Sequence, residues 1–354
     1  MSEVAVAVWN SAKKKYINLS WKRVLVRKSL DEICHYAEVE IPESERSLVH
    51  KHGILQVRYL SPYITEGRDS YNQKYGFHPV TTIYIDEIDE ETEKASHSVI
   101  VAGRSAARDI IDSKWSEQIL GSPTLYQILK QIAAEFGLDG DNDVLCLPTT
   151  AGDITKPVHS FSWENESPWQ KLLTVADAQG LIITSNQLGG LYIMQPARGD
   201  CGWGFAIEEG VNVRHPRRSE SGAEQYHEYI VKAQFGEAHA IDYTCPNKRK
   251  LTINLTEFII DKEKLNRRAK TEMLRRREDR ITCSLSGWGL TEEQIQKLGS
   301  TYHKEIFWEV NLLIPVKIPS CNVNAKMLIS QVEYTADSSS FSCDVTLVKP
   351  EAYR

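Results

Sequence analysis

The first hundred residues alternate apolar and polar side chains, the pattern of half-buried β-strands. The stretches VAVAVWN, KYINLSWKRVLVRKSL, HYAEVEIP and GILQVRYL all follow it. VTTIYIDEID and HSVIVAG flank a polar connection from Glu90 to Ser96, which predicts a hairpin with a long loop. About five or six short strands joined by polar turns predict a small barrel or sandwich.

After Gly103 the hydrophobic period changes from two residues to that of a helix. SPTLYQILKQIAAEFG predicts a helix with Ser122 as its N-cap, Pro123 at its first position and Gly137 at its end. The Gly-Arg pair before these residues is expected to turn the chain out of the first β section.

ESPWQKLLTVADAQG repeats the plan, with Ser167 as the cap, Pro168 next and Gly180 as the terminator. LIITSNQLGGLYIMQPA predicts a hairpin that turns near Gly189 and Gly190. Residues 106–200 are therefore predicted to form an α/β module that differs from the first section.

Strand patterns return in the last third, interrupted by a highly charged helix over 261–280. QVEYTADSSSFSCDVTLV predicts a hairpin around Asp337 to Ser340. The predicted class is α+β and β-rich, with two related antiparallel β-barrel domains. The expected division is a first β-barrel at 1–105, an α/β module at 106–200, a second β-barrel at 201–250 plus 281–354, and an inserted helical segment at 251–280.

The composition indicates a folded chain and gives no sign of a nucleic-acid-binding, membrane or secreted protein. The 354 residues are 41% hydrophobic and 25% charged, with a net charge of −6 that gives no global attraction to nucleic acid. No apolar run is long enough to span a membrane, and the N-terminus lacks the pattern of a signal peptide. Seven cysteines, an odd number without a C-x-x-C motif, predict buried or unreactive free thiols in a reducing cytoplasm.

The stretch VAGRSAARDIIDSKW, from Val101 to Trp115, raises the possibility of a phosphate site because a strand and a glycine turn precede a helix. Gly103 stands alone, however, and neither a P-loop nor a dinucleotide fingerprint is present. A structural glycine at a domain exit is the favoured interpretation.

Other chemistry-bearing patterns are weak. The HKH stretch at 50–52 places two imidazoles on one face of a predicted strand, without a third metal ligand nearby. The six acids of DEIDEETE, at 86–93, suggest a solvated loop or charge that protects a strand edge. Trp163 and Trp169 flank a helix start and are interpreted as core or interface anchors rather than stacking platforms. We therefore predict no catalytic, cofactor-binding or metal-binding residues and no cofactor.

The charged helix at 261–280 carries nine Lys/Arg and five Asp/Glu. Its apolar stripe is thin and consists of Leu265, Ala269 and Met273. A net positive charge could attract nucleic acid, but abundant i,i+4 pairs favour a solvated or subunit-facing helix.

The order and spacing of several stretches resemble the baseplate hub protein of Mu-like contractile-tailed bacteriophages, within the late control D and contractile injection hub superfamily. They are YIDEIDEETEKASHSVIVAGRSAARDIIDS, PTLYQILKQIAAEFGL, FSWENESPWQKLLTVADAQGLIITSNQLGGLYI, EQYHEYIVKAQFGE, KEKLNRRAKTEMLRRREDRITCSLSGW and WEVNLLIPVKIPSCNVNAKMLISQVEYTAD. In this family the strand-Gly-Arg-helix element leaves the first tube-type barrel. An acid usually follows the Gly-Arg pair, whereas Ser105 stands here.

The resemblance implies a structural protein and not an enzyme. It implies a homotrimer in the tail baseplate of a virion, assembled in the host cytoplasm, whose six tube-like barrels would match a hexameric tail tube protein. A trimeric spike protein and other baseplate proteins would be its partners, and DNA would pass through its channel without specific binding. Membrane insertion by this chain is not expected. A tail-associated peptidoglycan-degrading enzyme and a nucleic-acid-binding module built on the charged helix stay open as alternatives.

Overall fold

The computed structural model describes residues 3–61, 76–93, 96–140, 143–146, 157–158, 161–197, 199–200, 206–255, 262–277, 279–290 and 307–353. The chain is β-rich with large antiparallel sheets, which confirms the predicted α+β, β-rich class. None of the described helices is long and apolar enough to cross a membrane.

The first β domain alternates buried and exposed residues along its strands, as the sequence predicts. Its elements are β1 (Glu3–Asn10), β2 (Lys15–Leu19), β3 (Arg23–Ser29), β4 (Tyr36–Pro42), a 3-10 helix (Glu43–Leu48), β5 (Ile54–Ser61), β6 (Gly76–Glu93) and β7 (Ser96–Arg104).

The middle of the chain packs short helices and strands around a core of its own. Its elements are α1 (Arg108–Asp112), β8 (Trp115–Ile119), α2 (Leu125–Glu135), β9 (Val144–Cys146), β10 (Phe161–Glu166), α3 (Trp169–Gln179), β11 (Ile182–Ser185) and β12 (Leu191–Met194). The hairpin of β11 and β12 is confirmed, and β9 joins β12 in parallel.

The last third returns to strands and contains the longest described helix. Its elements are β13 (Gly199–Asp200), β14 (Ile207–Glu208), β15 (Val213–Ser219), β16 (Glu228–Ala233), β17 (Gly236–Ile241), β18 (Lys250–Leu255), α4 (Lys262–Arg277), β19 (Arg280–Ser286), β20 (Leu312–Ile318), a 3-10 helix (Pro319–Cys321), β21 (Val323–Asp337), β22 (Phe341–Val348) and a 3-10 helix (Pro350–Ala352). The predicted hairpin is confirmed in β21 and β22, where the Asp337 carboxylate accepts hydrogen bonds from the backbone N–H groups of Ser339 and Ser340.

Both β sections belong to one continuous sheet. Its strands run in the order β15-β19-β22-β21-β3-β4-β7-β6-β5-β1-β2, with β20 also paired to β21. The second section therefore reads β15-β19-β22-β21-β20, and the first reads β3-β4-β7-β6-β5. If the five strands of each section are numbered in chain order, both sections have the spatial order first, second, fifth, fourth, third. The two sections therefore share one strand topology, as the sequence predicted.

Irregularities in the two long hairpins also correspond. A bulge interrupts the pairing of β6 with β7 between Ile85 and Glu87, and another interrupts β21 with β22 between Ile329 and Gln331. Directly after each bulge, Glu87 pairs with Ala102 and Gln331 pairs with Thr346. Since a bulge fixes local register, Glu87 and Gln331 occupy equivalent positions.

Strands β16, β17 and β18 form a separate three-stranded sheet. Helix α4 packs on it and buries Leu265 and Ala269 against Val231 and Leu255. The prediction placed 201–250 in the second β-barrel, but β16 and β17 pair with none of the described strands of that section. Their partner β18 lies almost wholly within 251–280, the segment predicted to be helical, so that segment begins with a strand and its described helix starts only at Lys262. Pairing partners are set by long-range contacts, which local alternation does not encode.

The start of α2 differs in detail from the sequence prediction, whereas the Ser167 cap of α3 agrees with it. Thr124, rather than Ser122, caps α2: its hydroxyl accepts from the Gln127 N–H at 3.2 Å, and the Gln127 side chain accepts from the Thr124 N–H at 2.8 Å. This reciprocal capping box moves the helix start past Pro123. Ser167 behaves as predicted, since its hydroxyl accepts from the N–H of Trp169 at 3.2 Å.

Candidate assembly surfaces

The joint between the two β domains is the pairing of β21 with β3. Tyr334 lies opposite Val26, and both are completely buried. On the outer side, Arg27 lies opposite Glu333, and its Nη2 is 2.7 Å from the carboxylate oxygen. The joint is therefore an apolar sheet contact with ionic support at its surface.

A buried ion pair also crosses this joint, which sequence reasoning missed. The ammonium of Lys28, on β3, pairs with the Glu309 carboxylate, and the Lys28 side chain has no exposed surface. The rings of Phe307 and Tyr334 lie 5.5 and 5.7 Å from the ammonium. A lysine in an alternating strand carries no local signal of burial, so only the fold shows this contact.

The Gly103-Arg104 element ends a strand rather than making a turn. Gly103 pairs with Ala37 on one side and with Ile85 on the other, and its φ is not positive. A Cβ at Gly103 would lie 2.2 Å from the carbonyl oxygen of Tyr84. Glycine is needed here because the β6 backbone approaches closely beside its bulge. The predicted structural role is kept, but its physical reason is close packing and not a turn.

Arginines hold the chain where it leaves the first β domain. Arg104 lies 2.9 Å from Asp86 and 2.6 Å from Asp112, and Arg108 also pairs with Asp86. The hydrogen bond from Arg104 lowers the pKa of the Asp112 carboxyl. Each guanidinium is thus occupied by a carboxylate of this chain, so the pair is structural rather than a free anion cradle.

Ser105 is completely buried. Its hydroxyl accepts from the His35 N–H at 3.1 Å and lies 2.6 Å from the hydroxyl of Ser185. A carboxylate here would face the Ser185 hydroxyl in a dry environment, whereas serine fits these neutral partners.

The acidic run 86–93 is a strand and not a loop. It forms the second half of β6, which pairs with β7 as far as Glu93 opposite Ser96. Residues 90–93 and Ser96, predicted to lie in a polar connection, are therefore strand residues. The first half of β6 pairs on its other side with β5 as far as Tyr84 opposite Ile54. No described strand pairs with that side of 87–93, so the acidic half is a free edge among the described residues.

A basic strand forms a second free edge. The sequence of β15 is VRHPRRS, and β19 is its only described strand partner in the continuous sheet. Its first residue, Val213, also makes an isolated bridge to Glu209, so the free edge begins after Val213. Arg214 and Arg217 are exposed and have no ion-pair partner among the residues that the structure describes. Arg218 lies 2.5 Å from Asp279 and 3.0 Å from Glu220. Pro216 interrupts the strand at a bulge, which is common on edges.

The charged helix uses its polar face for contacts within the chain. Buried Glu272 lies between Arg268 at 3.1 Å and Arg276 at 2.6 Å, the i,i+4 pairs expected from sequence. Arg275 pairs with Asp31 of the first β domain. Met273 is only half buried, so the predicted stripe contributes two core residues rather than three.

The remaining candidates do not assemble into a chemical site. His50 and His52 lie in an exposed turn before β5, not on a strand face, and no metal-binding group of three His, Cys, Asp or Glu occurs in the described ranges. The six described cysteines are free, and Cys201 lies outside the described residues. Burial raises the pKa of the Cys34 thiol to about 12, so it stays protonated near neutral pH. Trp163 and Trp169 are core residues of the middle module, as predicted.

Comparison with known proteins identifies the fold. No family model and no curated protein matches the chain. A 43 kDa tail protein of prophage MuSo2 from Shewanella oneidensis is similar at a TM-score of 0.73 with 20% identity, covering 99% of both chains. A tail protein from Neisseria meningitidis reaches 0.74 with 15% identity, covering 99% of this chain and 98% of that one.

A third similar structure is the Escherichia coli c3393 protein, a component of the type VI secretion system described as similar to the bacteriophage T4 tail proteins gp27 and gp5. Its TM-score is 0.57 with 9% identity, and the match covers 94% of this chain and 74% of that one. The expected fold resemblance to tail proteins is therefore confirmed.

Proposed function

Starting from the fold of prophage tail proteins, we propose that this chain is a structural hub of a contractile phage tail baseplate. It forms a homotrimer that joins a hexameric tail tube to a trimeric spike and leaves a channel for DNA. Its role is mechanical, and it requires no cofactor. The first β domain at 1–105 and the second β domain share one tube-type fold, with the α/β module at 106–200 beside them.

The observation that carries this proposal is the repeated strand order in one continuous sheet, β3-β4-β7-β6-β5 and β15-β19-β22-β21-β20. One subunit contains two equivalent β domains, so three subunits contain six. A ring of six such domains has the symmetry needed to meet a six-fold tube, while the three chains keep the symmetry of a trimeric spike.

The assembly mass tests the proposal directly. Light scattering after gel filtration should give about three times the chain mass of 40.2 kDa, because a closed cyclic oligomer has a defined size. Electron microscopy should show rings, and a tube protein and a spike protein from the same tail operon should bind opposite faces. A chain that stays monomeric at micromolar concentration and forms no ring beside its spike would contradict the proposal.

A further inference from the structure

The internal joint has a counterpart in the first β domain for which the described strands of this chain offer no partner. In the second β domain, β21 pairs first with β20, through Leu328, and then with β3, from Gln331 to Asp337. In the first β domain, β6 pairs first with β5, and its second half then lacks a partner on the same side among the described residues. Among the described strands, none takes beside β6 the position that β3 takes beside β21.

The strand suited to that position is β15. In the repeated order, β15 corresponds to β3, since each is the outer neighbour of an equivalent strand, β19 or β4. Strand β3 pairs with β4 on one side and β21 on the other, whereas β15 pairs only with β19 among the described strands. Within the described part of one copy, the acidic half of β6 lacks a β3-like neighbour, and β15 is a β3-like strand with an unpaired edge.

We propose that the acidic half of β6 in one copy pairs with β15 of a second copy of this chain, repeating the internal β21–β3 joint between subunits. This inference rests on the proposed trimeric function and names the surface that closes the ring. The contact is heterologous, because it joins two different edges, so its repetition produces a ring when the rotation closes.

The register follows from the internal joint. Counting from the bulges, Glu91 corresponds to Thr335 and Glu90 to Tyr334. Thr335 lies opposite Leu25, and Tyr334 lies opposite Val26.

The residues of β15 that correspond to Leu25 and Val26 can be identified from the strands that pair with β3 and β15, which are β4 and β19. Leu25 pairs with Glu38, which lies opposite Ala102 on β7. In the second domain, Arg217 pairs with Thr282, which lies opposite Thr346, the equivalent of Ala102. Arg217 therefore corresponds to Leu25, and the next residue, Arg218, corresponds to Val26.

The repeated joint thus places Glu91 opposite Arg217 and Glu90 opposite Arg218. Residues directly opposite in an antiparallel pair have Cβ atoms about 4.5–5.5 Å apart, close enough for opposite charges to attract. Glu91 and Arg217 are exposed, and neither has an ion-pair partner in the described parts of the chain. Glu90 already contacts Arg46 at 2.7 Å, and Arg218 also makes ion pairs within its own chain. A contact between Glu90 and Arg218 would therefore add to ion pairs that both residues already make. An acidic edge and a basic edge select each other over two like edges.

Engineered cysteines test this register. Directly opposite residues in an antiparallel pair have Cα atoms about 4.5–5.5 Å apart, within the Cα range of a disulfide. The Glu91→Cys/Arg217→Cys protein should therefore give covalent dimers and trimers on a non-reducing gel after mild oxidation. Exposed Lys114 lies on the middle module and serves as the control in Glu91→Cys/Lys114→Cys, which should stay monomeric on the gel. Absence of crosslinks from a protein that light scattering shows to be trimeric would overturn the register.

Charge reversal tests the same pair without cysteine. Glu91→Arg and Arg217→Glu should each weaken trimer formation by about tenfold or more, because like charges then face each other, and the double reversal should restore it. Glu135→Arg and Lys114→Glu, both at exposed sites on the middle module, should leave the trimer unchanged.

The outcomes separate this inference from the function on which it rests. A wild-type trimer that neither single reversal affects would refute the edge pairing and leave the hub function standing. A wild-type chain that is monomeric in every buffer and forms no ring, together with a Glu91→Cys/Arg217→Cys protein that gives no crosslink, would refute both.

Discussion

Gly103→Ala should destabilise the first β domain even though the native φ is not positive. The added Cβ would lie 2.2 Å from the carbonyl oxygen of Tyr84, 2.9 Å from its carbonyl carbon and 3.1 Å from the Cα of Ile85. All three atoms are backbone atoms in a paired strand, so a side-chain rotation cannot relieve the contact. Either β6 or β7 must shift, and pairing on both sides of Gly103 resists that shift.

The expected cost is about 3 kcal/mol or more, at or above the upper end of the range for overpacked sites. Urea unfolding followed by circular dichroism would measure it, and thermal unfolding should show a Tm lower by several degrees. The matched control is Gly236→Ala, because a Cβ at Gly236 meets nothing within 4 Å and its φ is not positive. That variant should change the free energy of unfolding by less than about 1 kcal/mol.

The reasoning is refuted if Gly103→Ala unfolds within about 0.5 kcal/mol of the wild type while Gly236→Ala does the same. A nucleotide site at Gly103 and Arg104 would instead be detected as ligand binding. Calorimetry with ATP or NAD would then show specific binding to the wild type that is lost in Gly103→Ala. We expect no such binding, because Arg104 is occupied by Asp86 and Asp112.

Three further perturbations test other contacts. Thr124→Ala should cost about 1 kcal/mol of unfolding free energy because it removes the cap of α2, while Ser122→Ala should keep that cap, as thermal unfolding of both would show. Glu309→Gln should cost about 3 kcal/mol in urea unfolding, because it leaves the buried Lys28 ammonium without its counter-ion. Burial lowers the pKa of His78 to about 4, so the unfolded chain binds the extra proton between about pH 6.5 and 4 and stability falls as the pH falls through this window. His78→Phe should flatten the loss, by at most about 1.4 kcal/mol per pH unit, in Tm measurements from pH 7 to 4.

Each of these expectations has an outcome that contradicts it. Equal losses for Thr124→Ala and Ser122→Ala would contradict the capping box. Full stability of Glu309→Gln would show that the ion pair between Lys28 and Glu309 does not stabilise the folded chain. An unchanged pH slope in His78→Phe would assign the acid sensitivity to other groups, with completely buried His35 as the next candidate, since burial also holds its pKa far below the usual value.

Local chemistry explains why much of the secondary structure could be predicted. The alternating pattern predicted the strands correctly because one face of each strand packs on a core. The helix ends at Gly137 and Gly180 were also predicted correctly, because both glycines adopt a positive φ. The same logic misjudged the end of β6. Its last residues are acids because they form an exposed edge, and exposed acids resemble a loop in sequence. The start of α2 was misplaced because Ser122 and Thr124 are both good caps and only the backbone selects between them.

Long-range pairing could not be predicted in the same way. Nothing in the alternation of β3 indicates that its partner is β21. The two strands are far apart in sequence, since Arg27 and Glu333 are separated by 306 residues. The assignment of β16 and β17 to the second β-barrel failed for the same reason, since an alternating pattern does not specify which strand is the partner. The vacant edge of β6 emerges only when the two sheet orders are compared, and the opposite charges of 86–93 and β15 gain meaning only then.

The internal β21–β3 joint and the proposed β6–β15 contact between subunits are equivalent in position but differ in chemistry, because only the second is exposed before assembly. The internal joint is built on Val26 and Tyr334, which are buried from water in a single chain and need no partner to fold. Apolar residues at the equivalent edge of β6 would be exposed before assembly and would invite pairing with any strand. Acids on one edge and arginines on the other keep identical edges apart and favour the mixed contact. The proposed ring should therefore lose affinity as salt rises, while the internal joint should be far less sensitive because its contacts are mainly apolar and buried.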